Sequence, residues 1–164
     1  VVEAGSAMTG NGNTSADPEI LVAIGGLAGA SGTTGLGEAT INTVDWNITT
    51  FDKSAGGTLS VTVRYNETVT VATSNPTIIV TNDQRANHTL TYASGTGTHE
   101  LTFTLAIAAA NAATNADDVL SIAAQSIVLA SSSTIKDTSD TPANAELAIS
   151  SAQGTACGTI TVVA

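Results

Sequence analysis

From Ile41 onward the chain alternates apolar and polar residues in short runs. Leu59-Ser-Val61-Thr-Val63-Arg-Tyr65 puts its apolar side chains on one face and Ser60, Thr62 and Arg64 on the other. That period of two is the pattern of a half-buried antiparallel strand. Asn66-Glu67 breaks the run, and Val69-Thr70-Val71 resumes it. Upstream, Ile41, Val44, Trp46, Ile48 and Phe51 form a mixed run over 41–51, closed by turn residues from Asp52 to Gly57. Downstream, Pro76 precedes Thr77-Ile78-Ile79-Val80-Thr81 as it would the first residue of a strand. Thr89-Leu90-Thr91-Tyr92 alternates again, and Gly95-Thr96-Gly97 predicts a hairpin turn into Leu101-Thr-Phe103-Thr-Leu105-Ala-Ile107. Val119 to Ile122, Ser126 to Leu129, Ala145 to Ile149 and Thr159 to Val163 add further short apolar runs. Ile135 stands alone in the Ser/Thr/Asp-rich stretch 131–142. Strands at this spacing, separated by Gly, Asn and Asp, predict an all-β sandwich or barrel. The Ala-rich segment 106–116 is the helical candidate. Ala favours helix there, while Asn111, Thr114 and Asn115 favour turns, so no more than a short helical turn is expected.

Residues 1–40 have a different texture. Residues 1–19 are rich in Gly, Asn, Ser and Ala without a period. Ile20 to Ile24 is one short apolar segment that reads as a buried strand, and a Gly-rich stretch follows to Gly37. The expected organisation is an extended Gly/Ala-rich arm over 1–40 and a sandwich over 41–164. The opening Val-Val-Glu-Ala-Gly-Ser lacks the basic start and apolar core of a secretory leader. The longest apolar run, Ile20 to Ala30, falls well short of the ~20 residues that span a bilayer.

Composition narrows the function. Of 164 residues, 42% are hydrophobic but only 3% aromatic, so the expected core is aliphatic. It is expected to draw on Trp46, Leu59, Val61, Val63, Tyr65, Ile78, Val80, Leu90, Tyr92, Leu101, Phe103, Leu105, Leu120 and Ile122. An aromatic ring buries about 150–250 Å², so a core with few rings leaves stability leaning on assembly, and a homo-oligomer or a lattice partner is expected. The net charge of −10 comes with only four basic residues, Lys53, Arg64, Arg85 and Lys136. Four scattered cations cannot neutralise a phosphate backbone or hold an anionic bilayer, which argues against nucleic-acid and membrane partners. A single cysteine, Cys157, leaves no internal disulfide and no multi-cysteine metal site.

The chemistry-bearing residues are few. Asp117-Asp118, near Asn111 and Asn115, and the pair Asp137 and Asp140 are loop carboxylates of the kind that ligate Ca²⁺, which takes six to eight oxygens. Neither stretch has EF-hand spacing, and the plainer reading is turn-forming Asp bonded to its own backbone. His88 and His99 flank the hairpin; a Zn site needs three or four ligands, which Glu100 and Asp83 could help to supply, and the plainer reading is two exposed polar residues on neighbouring strands. Gly32-Thr-Thr-Gly35-Leu-Gly37 lacks the Lys of a phosphate loop. No nucleophile elbow and no oriented triad can be assembled. The expectation is a protein without catalytic residues and without a cofactor.

Gly57-Thr-Leu-Ser-Val-Thr-Val-Arg-Tyr-Asn-Glu-Thr-Val-Thr-Val71 resembles the opening of bacterial immunoglobulin-like repeats. Asn75-Pro76-Thr77-Ile78, the hairpin Tyr92-Ala-Ser-Gly-Thr-Gly-Thr-His-Glu-Leu-Thr-Phe103, Asp117-Asp118 before Leu120-Ser-Ile122, and Thr134-Ile-Lys-Asp137 are similar to that repeat's later blocks, in the same order. The resemblance spans roughly 41–149. It implies an immunoglobulin-like antiparallel β-sandwich. Modules of this family occur in tailed-phage virions and in repeat adhesins. With one module, an added arm and an added terminal strand at 159–163, the resemblance implies a capsid decoration protein on the outer surface of a virion. Its partners would be the major capsid protein and copies of itself, with the sandwich turned outward toward host surfaces or glycans. The alternative is an extracellular adhesin module that binds glycan or Ca²⁺.

Overall fold

The computed structural model describes residues 38–72, 75–130, 132–138 and 142–164. The arm's first 37 residues, with the strand expected at Ile20 to Ile24, lie outside the described residues, as does Asp140. The described residues form strands β1 (Ile41–Trp46), β2 (Phe51–Asp52), β3 (Gly57–Ala72), β4 (Thr77–Asn82), β5 (His88–Ser94), β6 (Thr98–Ile107), β7 (Val119–Ser121), β8 (Gln125–Ser126), β9 (Thr134–Asp137), β10 (Ala148–Ile149) and β11 (Thr159–Val163), with one helix, α1 (Ser151–Cys157). One sheet runs in the order β1-β3-β6-β5-β4-β7-β11-β2, with β9 also paired to β3, while β8 and β10 form a separate pair. Every pairing is antiparallel except β11 with β2. The sheet curls on itself, and the fold is all-β and sandwich-like.

The alternation in β3 does what its period requires. Leu59, Val61, Val63, Tyr65 and Val69 point inward and are buried. Val61 and Val63 sit opposite Phe103 and Leu101 of β6. Ile78, Val80, Leu90, Leu120, Ile135, Ile160 and Val162 complete an aliphatic filling in which Tyr65 and Phe103 are the largest fully enclosed side chains. Each such aliphatic side chain contributes about 1.5–3 kcal/mol on burial. Three expected core residues, Trp46, Tyr92 and Leu105, are only half-buried. Trp46 and Tyr92 have polar atoms that must be met. Trp46 Nε1 donates to the Gly158 carbonyl at 3.3 Å. Tyr92 lies edge-on to Phe103, with centroids 6.1 Å apart, and its hydroxyl accepts the Thr96 N–H at 2.8 Å.

Four elements differ from the sequence pattern. The run 41–51 splits: Asn47 ties back to Ser60 and Thr62 through its side chain, and Phe51–Asp52 then crosses to pair with β11. Asn66-Glu67 does not end β3. The ladder shifts register between Arg64 and Val69, and β9 takes over from β1 along the same edge. Segment 106–116 ends β6 and then turns instead of coiling. Asn111 Oδ1 accepts the Ala113 N–H at 2.8 Å, and Ala110 has φ 57°. The helix lies instead at α1, started by a reciprocal cap. Ser150 Oγ accepts the Gln153 N–H at 3.2 Å, and Gln153 Oε1 accepts the Ser150 N–H at 2.7 Å.

Candidate functional site

Asp118 organises a buried polar cluster. Its side chain turns inward from the loop before β7, and Oδ2 accepts from Asn82 Nδ2 and from the Asn115 N–H, both at 2.9 Å. Arg85 Nε lies 3.4 Å from the same oxygen. A carboxylate oxygen shared by these donors is structurally occupied. Its neighbour Asp117 is exposed, with φ 72°, and its N–H donates to Val162. The two residues expected to act together therefore face opposite ways. His88, read from the sequence as exposed, is buried at the start of β5. Its Nε2 has no hydrogen-bond partner among the described residues. Burial holds its pKa below the usual imidazole value, against a smaller opposing pull from Asp118. His99 is exposed on β6, 3.5 Å from Glu100.

Asp137 belongs to a second cluster. It is buried on β9 opposite Val69, and its Oδ2 accepts the Ala143 N–H at 3.1 Å. Glu67, two residues along the same inward face of β3, is 5% exposed, and its Oε2 is covered without a donor. Burial, and then the Asp137 charge, raise the Glu67 pKa. The structure thus couples Asp137 with Glu67, a residue the sequence presented only as a strand breaker. The signal was there: Tyr65, Glu67 and Val69 share one parity. Among the described residues, no group of three His, Cys, Asp or Glu gathers as metal ligands would.

The remaining candidates are structural in geometry. Cys157 is half-buried behind Trp46, and burial pushes its thiol up to about 11, away from a reactive thiolate. Of the larger aromatic rings, Tyr65 is enclosed, Trp46 Nε1 donates to the Gly158 carbonyl, and Tyr92 lies edge-on to Phe103. Among the described residues, no helix is long and apolar enough to cross a membrane.

Residues Ala39 to Ile41 are tied into the sandwich by burial and by several hydrogen bonds. Ala39 is fully buried, and its carbonyl accepts the Glu146 N–H at 2.8 Å. The Thr40 N–H donates to Asn66 Oδ1 at 2.8 Å, and the Thr40 carbonyl accepts the Asn66 N–H at 2.9 Å. The Ile41 N–H donates to Glu146 Oε2 at 2.8 Å. Beside this root, β1 and α1 bound an open groove of about 280 Å³, lined by Asn42, Val44, Asp45, Ala152 and Ala156 among others.

No family model, curated protein or solved structure matches the chain. What fold and site define is a class: an all-β, sandwich-like module with an aliphatic core, two buried carboxylate clusters and a locked N-terminal root.

Proposed function

We propose that the protein is a structural component of a tailed-phage virion, a decoration protein fastened to the outer capsid surface. In this reading the N-terminal arm holds the lattice, adding to a capsid subunit or to a neighbouring copy, with strand addition as the mode. The sandwich faces outward and performs no bond chemistry. The observation that carries the reading is the root at Ala39. A tether that pulled on a frayed terminus would peel β1 from the sheet. Here the pull passes into β3 through Asn66 and into the segment before β10 through Glu146. The resemblance to immunoglobulin-like repeats supports the same reading. Antibodies raised against the sandwich should label the outer surface of tailed particles from the source of this sequence. Labelling confined to a cell envelope would overturn the proposal.

The alternative, an adhesin module that takes Ca²⁺, is favoured by one observation: Glu67 Oε2 is buried without a donor on the face it shares with Asp137. On that reading, millimolar CaCl₂ raises the melting temperature of the wild type and leaves Glu67→Gln unchanged.

A further inference from the structure

Lys53 and Asn115 meet across the fold, with Lys53 Nζ donating to Asn115 Oδ1 at 2.7 Å. The chain has 14 acidic and four basic residues, yet among the described residues the Lys53 ammonium faces a neutral carboxamide instead of a carboxylate. A C=O bond is about 1.23 Å long, so an amine at that distance from the oxygen lies about 3–4 Å from the carbonyl carbon. That range overlaps the ~3–3.5 Å at which reacting atoms are poised.

Both residues are held from their main chains. Lys53 N–H donates to Val163 at 2.9 Å, and the Lys53 carbonyl accepts from Ala110 at 2.8 Å. The turn beneath it is fixed by Asp52 Oδ1, which accepts from Ser54 N–H, Ser54 Oγ and Ala55 N–H. Asn115 is held by its N–H on Asp118 Oδ2 and by its carbonyl, which accepts the Asp118 N–H at 3.2 Å. The pair is therefore preorganised, half-buried, and has a buried carboxylate attached to the Asn115 backbone.

We propose that Lys53 and Asn115 are joined by an intramolecular amide bond that the folded chain forms by itself. Lys53 Nζ loses a proton, and its lone pair bonds to Asn115 Cγ. The Cγ–Nδ2 bond then breaks, and Nδ2 departs as ammonia, which takes up the protons that Nζ released. The sum is one ammonium side chain plus one carboxamide giving one secondary amide plus one ammonium ion, with no oxidant and no co-reactant. The bond ties the β2–β3 turn to the loop before β7. It lies where the two-residue strand β2 makes the sheet's single parallel pairing, so it staples the curl at its shortest strand.

Intact mass spectrometry of the denatured full chain tests this directly. The expected mass is that of the sequence less one ammonia, and Lys53→Arg and Asn115→Ala each restore the full sequence mass. Trypsin should fail to cut after Lys53, leaving a branched peptide that contains residues 53 and 115. The unmodified sequence mass in folded, aged protein would overturn the proposal. So would loss of ammonia with Lys53 still cut by trypsin, which marks a succinimide at an asparagine.

Discussion

The Tyr65 hydroxyl donates to the main-chain carbonyl of Glu146 at 2.9 Å, across 81 residues of sequence. Glu146 in turn bonds the Ala39 carbonyl and the Ile41 N–H. One residue thus joins the inward face of β3 to the root of the arm. Burial, and then the Glu146 charge, hold the Tyr65 hydroxyl protonated far above the usual phenol range, so the link is indifferent to pH over the range in which proteins are handled.

Removing that hydroxyl should loosen the root. Tyr65→Phe leaves the ring in place and the Glu146 carbonyl short of a donor, at a cost of about 1–2 kcal/mol. Denaturant unfolding should report the loss. Amide exchange should quicken first at Ile41 and Glu146, whose N–H groups close the root. An unchanged midpoint would mean that solvent replaces the bond.

Glu67 makes stability depend on pH in the unusual direction for a carboxylate. Its folded pKa is raised, so its contribution is complete below the ordinary value of 4.5 and is lost as pH rises through the folded value. In a metal-free buffer Glu67→Gln should therefore melt higher than the wild type at pH 7, by an amount near 1 kcal/mol, the low end for a buried group without its partner. The two proteins should melt alike near pH 4.

His88 works from the other side. Its folded pKa is lowered, so its contribution is complete above the ordinary value of 6.5 and is lost as pH falls through the folded value. An NMR titration should place the His88 midpoint below 6.5. A midpoint above that value would mean the Asp118 charge outweighs burial.

Gly154 is the contact point between α1 and the segment after β7. A Cβ built there would lie 2.1 Å from the Ile122 carbonyl oxygen. Alanine would add about 1 kcal/mol of helix propensity, but overpacking against backbone costs about 1–3 kcal/mol. Gly154→Ala should therefore lower stability, measured by thermal melting.

The parts of the fold legible in the sequence are those whose signal is local. Leu59 to Tyr65 and Leu101 to Leu105 alternate, and they pair as β3 and β6. Gly95-Thr96-Gly97 is the turn between β5 and β6, where Gly95 has φ 118° and a Cβ would collide with the Glu100 carbonyl. Glu67 misled because a polar residue inside a strand reads as a break, whereas the strand continues and carries the carboxyl inward. The α1 helix was readable from Ser150 and Gln153, which have capping-box spacing, but its seven residues, Ser-Ala-Gln-Gly-Thr-Ala-Cys, carry no apolar period. The Asp118 cluster was not legible, because Asn82 is 36 residues away and only the fold brings the two side chains together. Lys53 and Asn115, 62 residues apart, are the same case.

On the proposed reading the sandwich folds without residues 1–37 and the arm is the attachment. Cosedimentation with capsids stripped of this protein tests it most directly, comparing the full chain with a chain that begins at Glu38. The shortened chain should keep the melting temperature of the full chain and stay in the supernatant while the full chain pellets. A shortened chain that pellets with capsids as well as the full chain would contradict the claim and move the binding surface onto the sandwich.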